Sequence, residues 1–225
     1  KPEEKPEEKP DATDTVGVPS VRPGAGGGTV KPGADKPDED KPGAEDSAAA
    51  FPLVDVPSDI WYYGSVKAAW ECGLIDGVTA KTFKPDATLS LAQAIKLAAA
   101  LYQMEREGEV SLKNGGASWY DSYVSYAVTN GIIEQRYDGY TDAQMNAPVT
   151  RAEFVHIFHG AQDGYDEINA VANGAIPDVK AADSFAAEIY EFYRAGILTG
   201  SDAQGTFHSV STIKRSEAAA ILLRM

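Results

Sequence analysis

The stretch LVDVPSDIWYYGSVKAAWECGLIDG, residues 53–77, decides the fold because a close counterpart recurs later in the chain. Residues 176–200, IPDVKAADSFAAEIYEFYRAGILTG, have the same length and the same order of features. Each stretch begins with an apolar-x-Asp-Val element, continues through a run rich in aromatic residues and alanine, and closes on Gly-x-x-x-Gly. A shorter relative of the pattern, ASWYDSYVSYAVTNGII, occupies residues 117–133. Such self-similarity at a fixed period indicates a repeat architecture.

The spacing of the landmarks predicts three repeats of about 60 residues each. One position stands twelve residues before a glycine in every copy, and the pairs are Trp61–Gly73, Trp119–Gly131 and Ser184–Gly196. A second helix is expected 17 to 19 residues after each glycine, beginning near Ser90, Thr150 and Lys214. The sequence therefore predicts repeats over 51–107, 108–165 and 166–225.

Each repeat is expected to form a helix, a loop and a second helix. Apolar residues recur at helical spacing in both runs, and a glycine in the left-handed conformation ends the first helix. Because one helix pair cannot bury both of its faces, the three pairs are expected to share one core. Residues 166–173, DEINAVAN, are expected to add a further turn of helix.

The first fifty residues differ in composition from the rest of the chain. They hold eight of the thirteen prolines, no aromatic residue, and twelve acidic against seven basic side chains. A segment with so little apolar surface cannot offset the entropy of ordering its backbone, so residues 1–50 are predicted to be a disordered linker. The repetitive start KPEEKPEEKP suggests that a longer protein continues on its N-terminal side.

The net charge of −14 is spread along the whole chain and limits the classes of partner. Nucleic acid binding requires a basic face, so a nucleic acid partner is not expected. No run of residues is apolar and long enough to predict membrane insertion. Cys72 is the only cysteine, so the chain has no intrachain disulfide.

The order of these motifs resembles the S-layer homology family over essentially all of residues 51–225. The resemblance rests on Leu53-Val-Asp55-Val, Ile176-Pro-Asp178-Val, Gly73-Leu-Ile-Asp-Gly77, Gly196-Ile-Leu-Thr-Gly200, Phe83-Lys-Pro85 and Val149-Thr-Arg-Ala-Glu153. It implies a mainly α fold, in which three repeats form a pseudo-threefold spindle around a central helical bundle. It also implies that grooves between repeats hold an anionic, often pyruvylated, secondary polymer of the bacterial cell wall.

The resemblance and the local chemistry together nominate the groove residues. Thr150 and Glu153 form the two halves of a capping box, which would leave Arg151 pointing outward beside free N–H groups at the helix start. A guanidinium there suits a bidentate contact to a carboxylate. The candidate ligand-binding residues are Arg151, Arg215, Lys214, Thr150, Gly77, Gly200, Thr199, Trp61 and Trp119.

Departures from the family pattern predict that at most two grooves work. The first repeat has Leu91 where the others have arginine, and the second repeat has Gln135 in place of the second loop glycine. If each groove pairs the arginine of one repeat with the glycine loop of the next, both losses fall on the first groove. Arg151 would then work with Gly196–Gly200, and Arg215 with Gly73–Gly77.

Simpler roles remain open for several of these residues. Both arginines are compatible with ordinary salt bridges, and both tryptophans are expected to pack mainly in the core, with sugar contact as their second role. Asp55 and Asp178 are expected to serve as turn or cap residues. No spacing predicts a metal site, a cofactor or a catalytic group, so the chain is not expected to be an enzyme.

The function predicted from sequence is thus non-covalent anchoring to a bacterial cell wall. Two alternatives remain: a protein–protein module that assembles an S-layer, and a module that binds modified peptidoglycan. A fragment of a polysaccharide hydrolase is a weaker third possibility.

Overall fold

A computed structural model describes residues 51–225, and the predicted linker, residues 1–50, lies outside the described residues. The described part is mainly helical, as the sequence predicted, and its β-structure is limited to isolated bridges. A 3₁₀ helix, Gln135–Gly139, lies between the third and fourth of the α-helices. The α-helices are α1 Tyr63–Glu71, α2 Leu91–Glu107, α3 Asp121–Thr129, α4 Asp142–Met145, α5 Arg151–His159, α6 Ala186–Arg194 and α7 Arg215–Leu222.

The first helices of the three segments, α1, α3 and α6, end in the same way. Each has nine residues and stops just before a glycine with a positive φ, which is 70° at Gly73, 73° at Gly131 and 73° at Gly196. A side chain at such a position would strain the backbone, so glycine is favoured there. The predicted glycine stops are confirmed.

The second helices, α2, α5 and α7, differ in how their first turns are capped. Ser90 and Gln93 form a complete capping box, with Gln93 N donating to Ser90 Oγ (3.3 Å) and Ser90 N donating to Gln93 Oε1 (3.0 Å). At α5 only half of the predicted box forms. Thr150 Oγ1 accepts from Glu153 N, but the Glu153 carboxylate accepts from the hydroxyl of Tyr137 instead of reaching back.

A closed ring of hydrogen bonds joins the three segments that precede the second helices. Leu89 N donates to Ile213 O (3.1 Å), Ile213 N donates to Val149 O (3.3 Å), and Val149 N donates to Leu89 O (3.0 Å). All three side chains are buried. The ring places three chemically similar positions around one approximate axis, as expected for a pseudo-threefold arrangement.

The helices pack in a circle around this axis. Helix α3 packs on α2, α6 packs on α5, and α1 packs on α7, while α2 also contacts α5. Each first helix therefore covers the second helix of the preceding segment, and the contact between α1 and α7 closes the circle. One continuous apolar core runs through all three segments.

Two aspartates fasten the loops that lead into the ring. Asp55 accepts hydrogen bonds from Phe83 N (2.7 Å) and Lys84 N (2.8 Å). Asp178 accepts in the same way from Phe207 N (2.8 Å) and His208 N (2.6 Å). Both aspartates lie in turns, as expected, closed by Val56 N donating to Leu53 O and Val179 N donating to Ile176 O. The sequence did not predict that each carboxylate also holds backbone nearly 30 residues away.

The second segment reaches the same packing by other means. Phe83 and Phe207 are fully buried in the first and third segments. In the second segment, Tyr137 of the 3₁₀ helix and Met145 of α4 supply fully buried side chains between the first and second helices. The second segment has no Phe-x-Pro motif between Gly131 and Thr150, and two short helices that the sequence did not predict take its place.

The predicted extra helical turn at residues 166–173 does not form. This segment runs as irregular chain beside α6, where Ile168 N (2.9 Å) and Asn169 N (2.8 Å) both donate to Arg194 O. The end of α6 thus satisfies backbone donors that would otherwise favour a helix. None of the helices within residues 51–225 combines the length and apolar character needed to span a lipid bilayer.

Candidate functional site

One cavity of about 260 Å³ brings four of the predicted site residues together. Arg151 at the start of α5 faces the loop Leu198–Ser201, which contains Thr199 and Gly200, and Trp61 closes one side. Glu217, Ala220 and Arg224 complete the wall from α7 and the residues after it. The predicted pairing of Arg151 with the Gly196–Gly200 loop matches this geometry. This cavity is called the Arg151 groove below.

The side chain of Arg151 is held tightly inside this groove. Its Nε donates to the carbonyl oxygen of Phe207 (2.8 Å), its Nη1 lies 3.5 Å from Glu217 Oε2, and its guanidinium lies 5.2 Å from the Phe207 ring centre. Only 8% of the residue is exposed. The prediction of an outward-pointing arginine is wrong, because the loop after α6 folds over it.

The backbone donors at the start of α5 are also occupied. Arg151 N donates to Ser211 O (2.8 Å), and Ala152 N donates to Ser209 O (3.1 Å). The predicted contribution of free N–H groups to ligand binding is therefore wrong. Polar side chains, among them the guanidinium groups of Arg151 and Arg224, supply the polar chemistry of this groove, and the backbone amides at the helix start do not.

A second cavity, of about 340 Å³, repeats the arrangement around Arg215 and is called the Arg215 groove. The loop Ile75–Val78, which contains Gly77, lies opposite Arg215, and Trp119 forms one wall. Arg215 Nε donates to Phe83 O (2.8 Å), and its Nη2 donates to the backbone oxygen of Asp76 (2.8 Å). The predicted pairing of Arg215 with the Gly73–Gly77 loop also matches the structure.

Burial changes the pKa of Arg215. Burial lowers the pKa of its guanidinium, and the carboxylates of Asp76 and then Asp55 act in the opposite direction. The Asp76 carboxylate itself is engaged by Lys96 Nζ at 2.8 Å. Among the salt bridges within residues 51–225, none involves Arg215. This cation is therefore partly buried without a direct carboxylate partner.

The position equivalent to these two grooves, between the first and second segments, contains a cluster of polar side chains that bind one another. The first residue of α2 is the buried Leu91, where α5 and α7 begin with arginine. Nearby, His156 of α5 lies between two carboxylates, with Nδ1 3.0 Å from Glu188 and Nε2 3.0 Å from Glu134. Its ring stacks on Phe185 with a centre-to-centre distance of 4.1 Å. These four residues are called the His156 clamp.

The clamp occupies positions that correspond to groove residues elsewhere. His156 is the sixth residue of α5, as Lys96 is of α2, and Glu134 follows Gly131 by three residues, as Asp76 follows Gly73. The Lys96–Asp76 pair of the Arg215 groove thus has its counterpart in the His156–Glu134 pair. The side chains of His156, Glu134 and Glu188 thus already bind one another within the chain.

Two predicted site residues lie outside both grooves. Lys214 Nζ forms a salt bridge with Asp86 at 2.8 Å. Thr150 lines a different cavity, of about 800 Å³, together with Asp178, His208 and Ser211. Within the described residues 51–225, neither side chain lines the Arg151 groove or the Arg215 groove.

The tryptophans occupy the groove walls and not the core. Trp61 is 65% exposed and Trp119 is 36% exposed, so the expectation that they mainly pack in the core is wrong. Both lie near the N-termini of first helices, where the buried faces of α1 and α3 are formed by Val66 and Val124 instead. An exposed indole beside a cation offers a flat apolar surface on which a sugar ring can stack.

Several groove residues were missed by the sequence analysis. Gln93 and Lys96 line the Arg215 groove, and Glu217 and Arg224 line the Arg151 groove. For Gln93 and Lys96 the helical spacing contains the signal, because residues three apart share one face of a helix. Gln93 and Glu217 each accept a hydrogen bond from the backbone N–H that precedes their helix, and both also face a groove.

The chemistry available in these grooves is that of binding. In each groove an arginine lies over a phenylalanine ring, beside a glycine-containing loop and an exposed indole on which a sugar ring can stack. Within residues 51–225, no group of three or more His, Cys, Asp or Glu side chains is placed to hold a metal ion.

Comparisons with known proteins agree with the resemblance seen in the sequence motifs. Residues 53–95 match the sequence profile of the S-layer homology domain. The chain is also 32% identical over 130 residues to the surface-layer 125 kDa protein of Lysinibacillus sphaericus. That alignment covers 56% of this chain and 11% of the relative, so the chain spans about a tenth of the relative's length.

Proposed function

Since this chain belongs to the S-layer homology family, we propose that residues 51–225 are a non-catalytic module that anchors a protein to the bacterial cell wall. The module binds an anionic wall polysaccharide, of the pyruvylated secondary polymer type, without a covalent bond. Its place of action is the outer cell surface, and its cargo is the remainder of a larger surface protein on the N-terminal side.

The observation that carries this proposal is the state of Arg215. Its charge is partly buried, its hydrogen bonds go to two backbone carbonyl groups, and it lies in a groove beside Trp119. Burying a cation without an anion is costly. A carboxylate on a bound sugar would compensate that cost and would form a charged hydrogen bond worth about 1.5–3 kcal/mol.

The surface-layer relative supports assembly of an S-layer as a second candidate function. The geometry favours it less, because cavities of about 260 and 340 Å³ with a guanidinium in each wall suit a small ligand, whereas a stable protein interface has a broad apolar centre. Binding to modified peptidoglycan is a variant of the anchoring function and is separated from it by the experiment below.

The test is co-sedimentation of the 225-residue chain with purified cell-wall sacculi, either intact or acid-stripped of secondary polymer. We expect binding to intact sacculi only, weakened by Arg151→Ala or Arg215→Ala and most by both. Arg106→Ala is the matched control, because Arg106 pairs with Asp163 and lines neither groove.

Equal binding to stripped sacculi would assign the ligand to peptidoglycan. A folded chain that binds neither preparation would contradict the anchoring function and leave protein assembly as the alternative.

A further inference from the structure

The Arg151 and Arg215 grooves hold their arginines in nearly the same way. Each guanidinium donates through Nε to a phenylalanine carbonyl group at 2.8 Å and lies over the ring of that phenylalanine. Each faces a loop of the next segment and one exposed tryptophan. A difference in ligand must therefore come from the residues around the guanidinium.

The third residue of the neighbouring helix makes that difference. It is Glu217 in the Arg151 groove and Gln93 in the Arg215 groove. Both side chains accept a hydrogen bond from the backbone N–H that precedes their helix, at 2.9 Å for Glu217 and 3.0 Å for Gln93. They occupy matching positions, but one is charged and the other is neutral.

The consequence is a different charge balance at the two guanidinium groups. Glu217 Oε2 lies 3.5 Å from Arg151 Nη1, so a carboxylate of the chain already neutralises that cation. Gln93 provides none to Arg215, and Lys96, a second cation in the same groove, is neutralised only by the exposed Asp76. Arg224, the second cation of the Arg151 groove, is exposed and donates to Ile197 O at 3.0 Å. An incoming anion would compete with Glu217 for Arg151, whereas it would meet no carboxylate within salt-bridge distance of Arg215, because the Asp76 carboxylate pairs with Lys96.

We propose that the two grooves bind different parts of the polymer, the Arg215 groove an anionic sugar and the Arg151 groove an uncharged one. Gln93 and Glu217 determine this preference. The inference rests on the proposed anchoring function, since it assigns the ligand classes of the same grooves.

Two reciprocal substitutions exchange the proposed determinants. Gln93→Glu gives the Arg215 groove a carboxylate, and Glu217→Gln removes the carboxylate from the Arg151 groove. Both variants keep a side-chain acceptor for the helix cap, because glutamate and glutamine already serve in this role here. Gln144→Glu is the matched control, since Gln144 holds the same position in the capping box of α4 and lines neither groove.

The tryptophans report on the grooves separately, because Trp61 lines one and Trp119 lines the other. The indole N–H signals of the full chain would be followed by NMR during titration with acidic oligosaccharides released from sacculi, and again with the same fragments after reduction of their carboxyl groups. We expect the Trp119 signal to respond to acidic fragments at about tenfold lower concentration than to reduced ones, as for one charged hydrogen bond. The Trp61 signal should respond equally to both.

Gln93→Glu should abolish the preference at Trp119, Glu217→Gln should create one at Trp61, and Gln144→Glu should change neither. Responses at both tryptophans that ignore the charge of the fragment, or that the exchanges leave unaltered, would overturn the inference while leaving the anchoring function intact. Silence of both signals would overturn the anchoring function and the inference with it.

Discussion

Asp55 shows how much of this architecture depends on a single side chain. Its two oxygens bind the consecutive backbone groups Phe83 N and Lys84 N, at the point where the chain turns toward the central ring. Lys84 has a φ of 56°, a conformation that costs energy for a residue with a side chain. The carboxylate thus stabilises a strained turn, and Asp178 repeats the contact with His208, whose φ is 62°.

Removing this contact should lower stability measurably. We expect Asp55→Ala to reduce the free energy of unfolding by about 3 kcal/mol, because two charge-assisted hydrogen bonds of about 1.5 kcal/mol each are lost. Asp55→Asn should lose about half as much, since it retains one acceptor oxygen. Urea unfolding of each variant, followed by circular dichroism, measures the difference. Asp59→Ala, at an exposed aspartate, should change stability by less than about 0.5 kcal/mol and serves as the control. An equal effect at both positions would contradict this role of Asp55.

At the scale of elements, the His156 clamp joins α5 to α6 and to the loop after α3. Both ring nitrogens face carboxylates, which only the doubly protonated ring can satisfy as donors. Burial acts against the charged ring, but hydrogen bonds to Glu188 and Glu134 outweigh it and raise the pKa of His156 above its ordinary 6.5. The same contact lowers the pKa of Glu134 below its ordinary 4.5, although burial of that carboxyl opposes the change.

These shifts set the sign of the pH dependence. A raised histidine pKa gives stability that is complete below pH 6.5 and is lost as the pH rises through the folded-state value. A lowered glutamate pKa gives stability that is complete above pH 4.5 and is lost as the pH falls. The clamp should therefore stabilise the fold most between these two pH values.

The measurement is the difference in free energy of unfolding between the native chain and His156→Gln, from pH 4 to pH 9. We expect a maximum of about 1 kcal/mol near pH 5.5, because Glu134 is half exposed and solvent screens its charge. Arg136 at 3.4 Å from Glu134 and the adjacent His159–Glu191 pair remain in both proteins, so their contributions cancel. A difference that stays constant across this range would show that His156 acts through packing on Phe185 alone.

The elements also show where prediction from sequence reached its limit. The glycine stops at Gly73, Gly131 and Gly196 were predictable because the constraint is local and belongs to one residue. The pairing of Arg151 and Arg215 with their loops followed from the order of the repeats. The burial of Arg151 did not, because it depends on a loop more than 50 residues away whose carbonyl oxygen the guanidinium binds.

The second segment illustrates the same limit in packing. The space between its helices is filled by Tyr137 and Met145, which come from two short helices. A core needs side chains that fill its space, but these need not come from the same position of each repeat. A comparison of the repeated motifs therefore finds no counterpart of Phe83 and Phe207 in the second segment. The exposure of Trp61 was missed for a related reason, since a large apolar residue in a helical pattern is normally assigned to the core.

At the scale of the whole molecule, the circular packing makes the first and last helices neighbours. Helix α1 covers α7, although about 140 residues separate them in the sequence, and Ile213 links the ring to Leu89 and Val149. Residues 51–225 accordingly belong to one compact unit. The three predicted repeats are therefore expected to fold together, each supplying a surface that its neighbour needs.

Deleting residues 201–225 tests this dependence at a distance. The deletion removes α7 together with Phe207, Ile213 and Arg215, and leaves the sequence of α1 untouched. We expect the amide protons of α1 to lose their protection against hydrogen exchange, because Val66 and Ala69 then lack the surface that buries them. A chain that starts at Ser47 and keeps its C-terminus is the control, and it should retain full protection. Persistent protection of α1 in the deleted chain would mean that the first repeat folds alone, and that the circle of helices is an assembly of independent units.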